Sequence, residues 1–186
     1  MSSIGVVLDA CVLYPGSLRD TFLRAAEAGL FRLCLTYDIL EEMKRNLIEN
    51  SHMAEDKAQR IVDHIKNFFD EAFVIKHTLL IPSMPINEKD RHVLAAAVAS
   101  GAQIIVTQNL KDFPPHLLAP FEVEALSADD FLIHQFTQNK EEIVAIIKQQ
   151  ASCLKNPPVT VTWVLERLEA FVPNFVKMMR IAVQEE

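Results

Sequence analysis

The stretch DRHVLAAAVASGAQIIVTQNLKDFPP, from Asp90 to Pro115, contains the pattern that decides the fold. Its first part has apolar residues at helical spacing and stops at Gly101, a residue that commonly ends helices. Its second part, QIIVT at 103–107, is a continuous apolar run typical of a strand buried on both faces. A helix followed directly by a buried strand predicts part of a parallel α/β sheet, because parallel strands need helical crossovers.

The same alternation continues on both sides of this stretch. IGVVLDA at 4–10 is typical of a buried strand, Ser17 is a plausible N-cap of a helix that stops at Gly29, and FRLCLT at 31–36 alternates like a strand. Two helical segments follow, and then the apolar run FVI at 73–75, which we predict to be a strand. Asn87 can cap the helix that begins at Glu88, and FEVEAL at 121–126 is a further strand candidate. The order predicts an α/β domain with a mainly parallel sheet.

The periodicity is helical only from Ser127 onward. SADD at 127–130 resembles a capping box, and NPPVT at 156–160 separates two further helical segments. We therefore predict a domain covering residues 1–132 and a C-terminal helical extension covering residues 133–186.

Composition limits the possible partners and location. The 186 residues have a net charge of −7, which opposes general nucleic-acid binding through a basic surface but leaves room for a local basic groove. We expect a cytoplasmic protein without a membrane span, since there is no long apolar run and no secretory signal. Three cysteines without C-x-x-C spacing indicate buried reduced thiols rather than a disulfide or zinc site: Cys11, Cys34 and Cys153.

Acidic and amide side chains are placed where the strands end. Asp9 ends the first strand, and Asn109 and Asp112 follow QIIVT, so the carboxyl ends of parallel strands can bring them together. At about 100° per residue, Asp90 falls on the buried face of its helix, with His92 on the opposite face. Clustered carboxylates repel one another, and a divalent cation neutralises them. Oxygen ligands favour Mg²⁺ or Mn²⁺ over zinc.

Helical geometry separates two adjacent glutamates. The core stripe after LTYD comprises Ile39, Leu40, Met43 and Leu47. Glu42 lies about 115° from the centre of that stripe and Glu41 about 145° away. Glu42 is therefore the better candidate for a site residue.

Each acid also has a local explanation. Asp90 could complete a cap with Asn87, and Asp9 and Asp112 could form turns with their own backbone. Other catalytic classes lack their motifs: G-x-G-x-x-G, G-x-x-x-x-G-K, G-x-S-x-G and H-E-x-x-H are all absent from the sequence.

The segments VVLDACVLYPG (6–16), LTYDILEEM (35–43) and DRHVLAAAVASGAQIIVTQNLKDFP (90–114) together resemble a PIN domain, in particular the VapC-like toxins of bacterial toxin–antitoxin systems. DDFL (129–132) and NPPVTV (156–161) are similar to the helical extension carried by one branch of these proteins. The resemblance implies a Rossmann-like three-layer α/β/α fold and a ribonuclease that depends on Mg²⁺ or Mn²⁺. It also implies a cognate antitoxin and a homodimer.

Carried over by position, the family's metal-binding and catalytic acids match Asp9, Glu42, Asp90 and Asp112. Thr107 and Asn109 match the supporting positions of its T-x-[DN] turn. Many relatives have aspartate at the second of these positions, so Asn109 leaves open whether a second metal ion binds.

The resulting hypothesis is hydrolysis of phosphodiester bonds in single-stranded or structured RNA with Mg²⁺ or Mn²⁺. One alternative is a PIN-fold module that acts only through protein contacts. A weaker alternative is a haloacid-dehalogenase-like phosphatase, whose D-x-D motif would need an acid where Cys11 stands. Several cations are available for phosphate contacts: Arg19, Lys44, Arg45, Arg91 and Lys111.

Overall fold

The computed structural model describes residues 4–155 and 157–184. Their contacts divide the chain into two compact units. The first contains the N-terminal segment up to Tyr14 together with Phe31–Leu126, and the second contains Pro15–Leu30 and the segment from Ser127 onward. The expected boundary at residue 132 falls inside a helix of the second unit, and the domain limits stay a prediction.

The elements are numbered in chain order. The strands are β1 (Gly5–Leu8), β2 (Arg32–Cys34), β3 (Ile104–Val106) and β4 (Glu124–Leu126). The helices are α1 (Ala10–Leu13), α2 (Gly16–Glu27), α3 (Tyr37–Ser51), α4 (Glu55–Phe68), α5 (Arg91–Ser100), α6 (Pro115–Leu118), α7 (Ala128–Gln138), α8 (Lys140–Cys153), α9 (Val161–Leu168) and α10 (Pro173–Gln184). None of the helices in the described part of the chain is long and apolar enough to cross a membrane.

A four-stranded sheet in the order β2-β1-β3-β4 forms the centre of the first unit. All of its pairings are parallel, and β1 and β3 are completely or almost completely buried, as their unbroken apolar sequences predict. The predicted α/β class with a parallel sheet and C-terminal helices is confirmed. The expected strand at 73–75 is wrong: only Phe73 bridges to Leu35, and Ile75 is 79% exposed.

The segment before α5 differs from the predicted helix that begins at Glu88. A 3₁₀ turn spans Glu88–Asp90, and α5 begins at Arg91. The Asn87 side chain accepts a hydrogen bond from the Lys89 N–H at 3.3 Å, while the Asp90 N–H bonds the Asn87 carbonyl at 2.9 Å. These bonds tighten the chain into a 3₁₀ turn. The predicted stop at Gly101 is confirmed, with a φ of 62° that suits glycine.

The second unit is helical and contains α2 and α7 to α10. The rings of Phe22 and Phe131 stack with centroids 5.7 Å apart in its core. The buried Gln150 amide is satisfied on both sides, since Oε1 accepts from Thr21 at 2.8 Å and Nε2 donates to the Ser17 carbonyl at 2.9 Å. Polar residues in this core are therefore paired, as burial requires.

Four local predictions concern this unit and the cysteines. Ser127 caps α7 by accepting from the Asp130 N–H at 3.0 Å, as expected. Of the predicted separator NPPVT, residues 157–160 lie between α8 and α9, as expected, and Asn156 lies outside the described residues. The N-cap of α2 is Pro15 and not Ser17, because the helix already begins at Gly16. The three cysteines are free as expected, but their burial varies: Cys34 is buried, Cys11 is half-buried and Cys153 is exposed.

Asp129 on α7 caps the start of α10. Its carboxylate accepts from the Phe175 N–H at 2.8 Å, and from the N–H and side-chain amide of Asn174 at 3.2 and 2.8 Å. We expect Asp129→Ala to lower the free energy of unfolding by about 1–2 kcal/mol, since the first N–H groups of a helix lose their acceptor. Urea denaturation would measure this loss. Glu166→Ala, an exposed acid in α9, is the control and should change stability by less than about 0.5 kcal/mol; equal losses would contradict the capping role.

Candidate active site

Asp9 and Thr107 meet at the carboxyl edge of the sheet. The Asp9 N–H donates to the Val106 carbonyl at 3.0 Å, which continues the β1–β3 register beyond β1. The Thr107 hydroxyl then donates to Oδ2 of Asp9 at 2.7 Å. Both residues are buried, with 5% and 0% of their surface exposed. The carboxyl edge of the sheet therefore holds a desolvated carboxylate beside a hydroxyl that orients it.

Cys11 is the second side chain that orients Asp9. Its thiol donates to Asp9 Oδ2 at 3.1 Å and its sulfur accepts from the Gln108 N–H at 3.2 Å. Burial, together with the charge of Asp9, raises the pKa of Cys11 to about 12, so the neutral thiol is the donor. Because both side-chain donors bind Oδ2, Oδ1 of Asp9 is the oxygen available to a ligand.

The turn after β3 supports Thr107. The Asn109 N–H donates to the Thr107 hydroxyl at 3.0 Å, so that hydroxyl accepts one bond while donating another to Asp9. The Asn109 side chain is exposed. Asn109 thus acts in this arrangement through its backbone, and Thr107 through its side chain.

Asp90 is a half-buried acid whose position local structure does not explain. Its side chain is 13% exposed, and it makes no cap hydrogen bond at the start of α5, contrary to the capping interpretation. Within residues 4–155 and 157–184, no group is hydrogen-bonded to its buried Oδ2. Burial raises the pKa of Asp90, and the neighbouring charges of Asp112, Asp9 and Glu42 raise it further against the opposing effect of Lys89.

Lys89 places a positive charge between two of the acids. Its Nζ lies 2.9 Å from Asp112 Oδ2 and 3.7 Å from Asp90 Oδ2. The hydrogen bond to Asp112 and the charge of Asp90 raise the pKa of Lys89. Lys89 was not predicted as a site residue from sequence, although its position next to Asp90 was a usable signal.

Glu42 on α3 contacts His92 on α5. Glu42 Oε2 and His92 Nε2 are 3.2 Å apart, an ion-pair distance at which the two groups are not aligned for a hydrogen bond. Contact with His92 lowers the pKa of Glu42, and Glu42 raises the pKa of His92 although burial opposes this. His92, which helical geometry placed on the face opposite Asp90, therefore contacts another of the predicted acids. Regular helical spacing does not extend back to Asp90, which belongs to the 3₁₀ turn.

The cations suggested for phosphate contact have varied surroundings. The Arg91 Nε donates to the Ile86 carbonyl at 3.1 Å, and Lys44 pairs with Glu55 at 3.6 Å. Arg45 and Lys111 are exposed in the first unit, whereas Arg19 belongs to the second. Lys89 is therefore the cation in closest contact with the predicted acids.

The predicted acids offer the carboxylate oxygens that a divalent cation such as Mg²⁺ binds. Across the described ranges, no three His, Cys, Asp or Glu side chains converge closely enough to form a metal-binding group. However, the buried Oδ2 of Asp90 has no hydrogen-bond partner in the described residues and feels the charges of Asp112, Asp9 and Glu42, and the ammonium of Lys89 already lies against Asp90 and Asp112. A hard cation with oxygen ligands, such as Mg²⁺ or Mn²⁺, fits these donors.

Comparison with known proteins identifies the class. The chain matches the family described as PIN domain over residues 5–111, more than half of its length, and it belongs to the PIN domain family. Residues 128–181 match the VapC50 C-terminal domain. The "Putative ribonuclease VapC50" of Mycobacterium tuberculosis (strain ATCC 25618 / H37Rv) is 40% identical over 114 residues, which span 61% of this chain and 68% of that protein. No solved structure matches the chain.

Proposed function

We propose that this chain is an endoribonuclease that hydrolyses RNA phosphodiester bonds with Mg²⁺ or Mn²⁺, and that it is the toxin of a toxin–antitoxin pair. The observation that carries the proposal is the buried, unsatisfied Oδ2 of Asp90 among the charges of Asp9, Glu42 and Asp112. The PIN family membership and the printed name of the similar mycobacterial protein support the choice of RNA as substrate.

Asp9 and Asp90 would hold the cation. Glu42 and Asp112 would complete the binding directly or through water, since Mg²⁺ keeps much of its hydration in proteins. When bound, the cation would lower the pKa of a water and offset negative charge that develops on the phosphate. We propose that all four acids act in catalysis in this way.

The protein positions these acids before substrate arrives. Thr107 and Cys11 fix the orientation of Asp9 by bonding Oδ2, and burial excludes competing water from it. His92 helps to keep Glu42 ionised, so that Glu42 can accept a hydrogen bond from the attacking water and orient it. No covalent nucleophile is needed.

The alternatives make different use of the same residues. A phosphatase of the D-x-D type would need an acid at position 11, where a protonated thiol donates to Asp9. A module that acts only through protein contacts would need no metal. A cognate antitoxin, a homodimer and a cytoplasmic location remain proposals that rest on the PIN family.

A cleavage assay with controlled metal content tests the proposed function. We expect a chelator to stop the cleavage of single-stranded RNA, and Mg²⁺ or Mn²⁺ to restore it. Calcium should support little turnover, because its larger and looser coordination shell positions water less well. The products would be followed on denaturing gels. Full activity in chelator, with no residual metal detected by elemental analysis, would rule out the mechanism, whereas binding of a protein partner without cleavage would favour the interaction module.

A further inference from the structure

We propose that Lys89 is a built-in competitor of the divalent cation: its ammonium pairs with the Asp90 and Asp112 carboxylates in the metal-free protein and must move away from them when the metal binds. This inference rests on the proposed function, because it concerns the same acids. It adds a residue that regulates metal affinity and that the comparisons do not assign.

The Lys89 ammonium forms a hydrogen bond with Asp112 but not with Asp90. Lys89 Nζ forms a hydrogen bond with Asp112 Oδ2 at 2.9 Å, but it lies 3.7 Å from Asp90 Oδ2. Asp112 is therefore bonded to the lysine, while the buried oxygen of Asp90 keeps its unmet demand for a hydrogen bond or a ligand. A single charge thus neutralises the two acids incompletely.

The ammonium can leave at low cost. The Lys89 side chain is 59% exposed, and ion pairs at exposed sites are weak because water screens them. A divalent ion carries twice the charge, binds carboxylate oxygens directly and is favoured by burial around Asp90. The cation and the ammonium cannot both occupy the space beside the same oxygens, and their charges repel. Metal binding and the Lys89 pair therefore oppose each other.

Lys111 provides a matched control. It lies next to Asp112 in sequence, is exposed, and forms no ion pair with an acid among the described residues. Lys89→Met and Lys111→Met remove the same charge from the same unit. A purely long-range effect of charge would change both variants alike, and competition for Asp90 and Asp112 would change only the first.

The test measures Mn²⁺ binding without RNA. Isothermal titration calorimetry on the full chain compares the parent, Lys89→Met, Lys89→Arg, Lys111→Met and Asp90→Asn. We expect Lys89→Met to bind Mn²⁺ about tenfold more tightly and Lys111→Met to stay within about twofold of the parent, as screened surface charges do. Lys89→Arg keeps the charge and should not gain affinity, and Asp90→Asn should lose at least about tenfold.

The outcomes separate this inference from the proposed function. If Asp90→Asn loses affinity but Lys89→Met gains no more than Lys111→Met, competition by Lys89 is wrong and the metal site stands. If the parent and Asp90→Asn bind Mn²⁺ equally, the metal site itself is misplaced. Lys89→Gln is titrated as well, in case Lys89→Met does not fold. A gain in Mn²⁺ affinity with Lys89→Gln, of the size expected for Lys89→Met, would support competition.

Discussion

Asp9→Asn and Asp90→Asn should each reduce RNA cleavage to background while the protein remains folded. Each substitution removes a full negative charge from the proposed cation site and changes the shape of the side chain very little. Asp9 offers an oxygen that neither Thr107 nor Cys11 binds, and Asp90 offers one that no described residue bonds. A neutral amide at either position binds a hard divalent ion much more weakly than a carboxylate does.

The measurement is single-turnover cleavage of a labelled RNA at saturating Mg²⁺ or Mn²⁺. Glu88→Gln is the control, because Glu88 lies in the same 3₁₀ turn as Asp90 but is exposed. Thermal unfolding should show that Asp90→Asn is at least as stable as the parent, since burial and the charges of Asp112, Asp9 and Glu42 disfavour the ionised carboxylate more than Lys89 favours it. Parental cleavage rates for both aspartate variants would show that the site is assigned wrongly.

The sheet was predictable from sequence because its central strands are buried on both faces. The continuous apolar runs of β1 and β3 match this burial, and Gly101 ends α5 as predicted. FVI at 73–75 has the same apolar character, yet Ile75 is 79% exposed and only one residue bridges. An apolar run predicts burial, but tertiary contacts decide whether it pairs as a strand.

The candidate acids could be predicted from sequence, whereas the residues that contact them, Lys89 and His92, could not. The rule that parallel strands meet at their carboxyl ends predicted that Asp9 lies near the residues that follow β3, and Thr107, the first of these, is bonded to Asp9 at 2.7 Å. The position of Lys89 depends on the 3₁₀ turn before α5, where an angle of about 100° per residue no longer applies. The contact of His92 with Glu42 also depends on how α3 approaches α5, which a single sequence does not specify.

Two adjacent glutamates on α3 give the most direct test of how that helix faces the site. Glu42 is 32% exposed on its side chain and lies 3.2 Å from His92. Glu41 is exposed and lines a separate shallow cavity of about 200 Å³ with Lys44, Arg45 and Glu49. The structure therefore agrees with the helical geometry in directing the two side chains differently.

Glu42→Gln should lower turnover by about a hundredfold or more, the loss expected when a positioned charge or general base is weakened. Glu41→Gln should cleave at close to the parental rate and change stability by less than about 0.5 kcal/mol. Both variants are measured at the same metal concentration, with thermal unfolding as the check on folding, since Glu42→Gln also removes the charge that pairs with His92. If Glu41→Gln were the inactive variant, Glu41 and not Glu42 would act in the reaction. The contact between Glu42 and His92 would then have only a structural role.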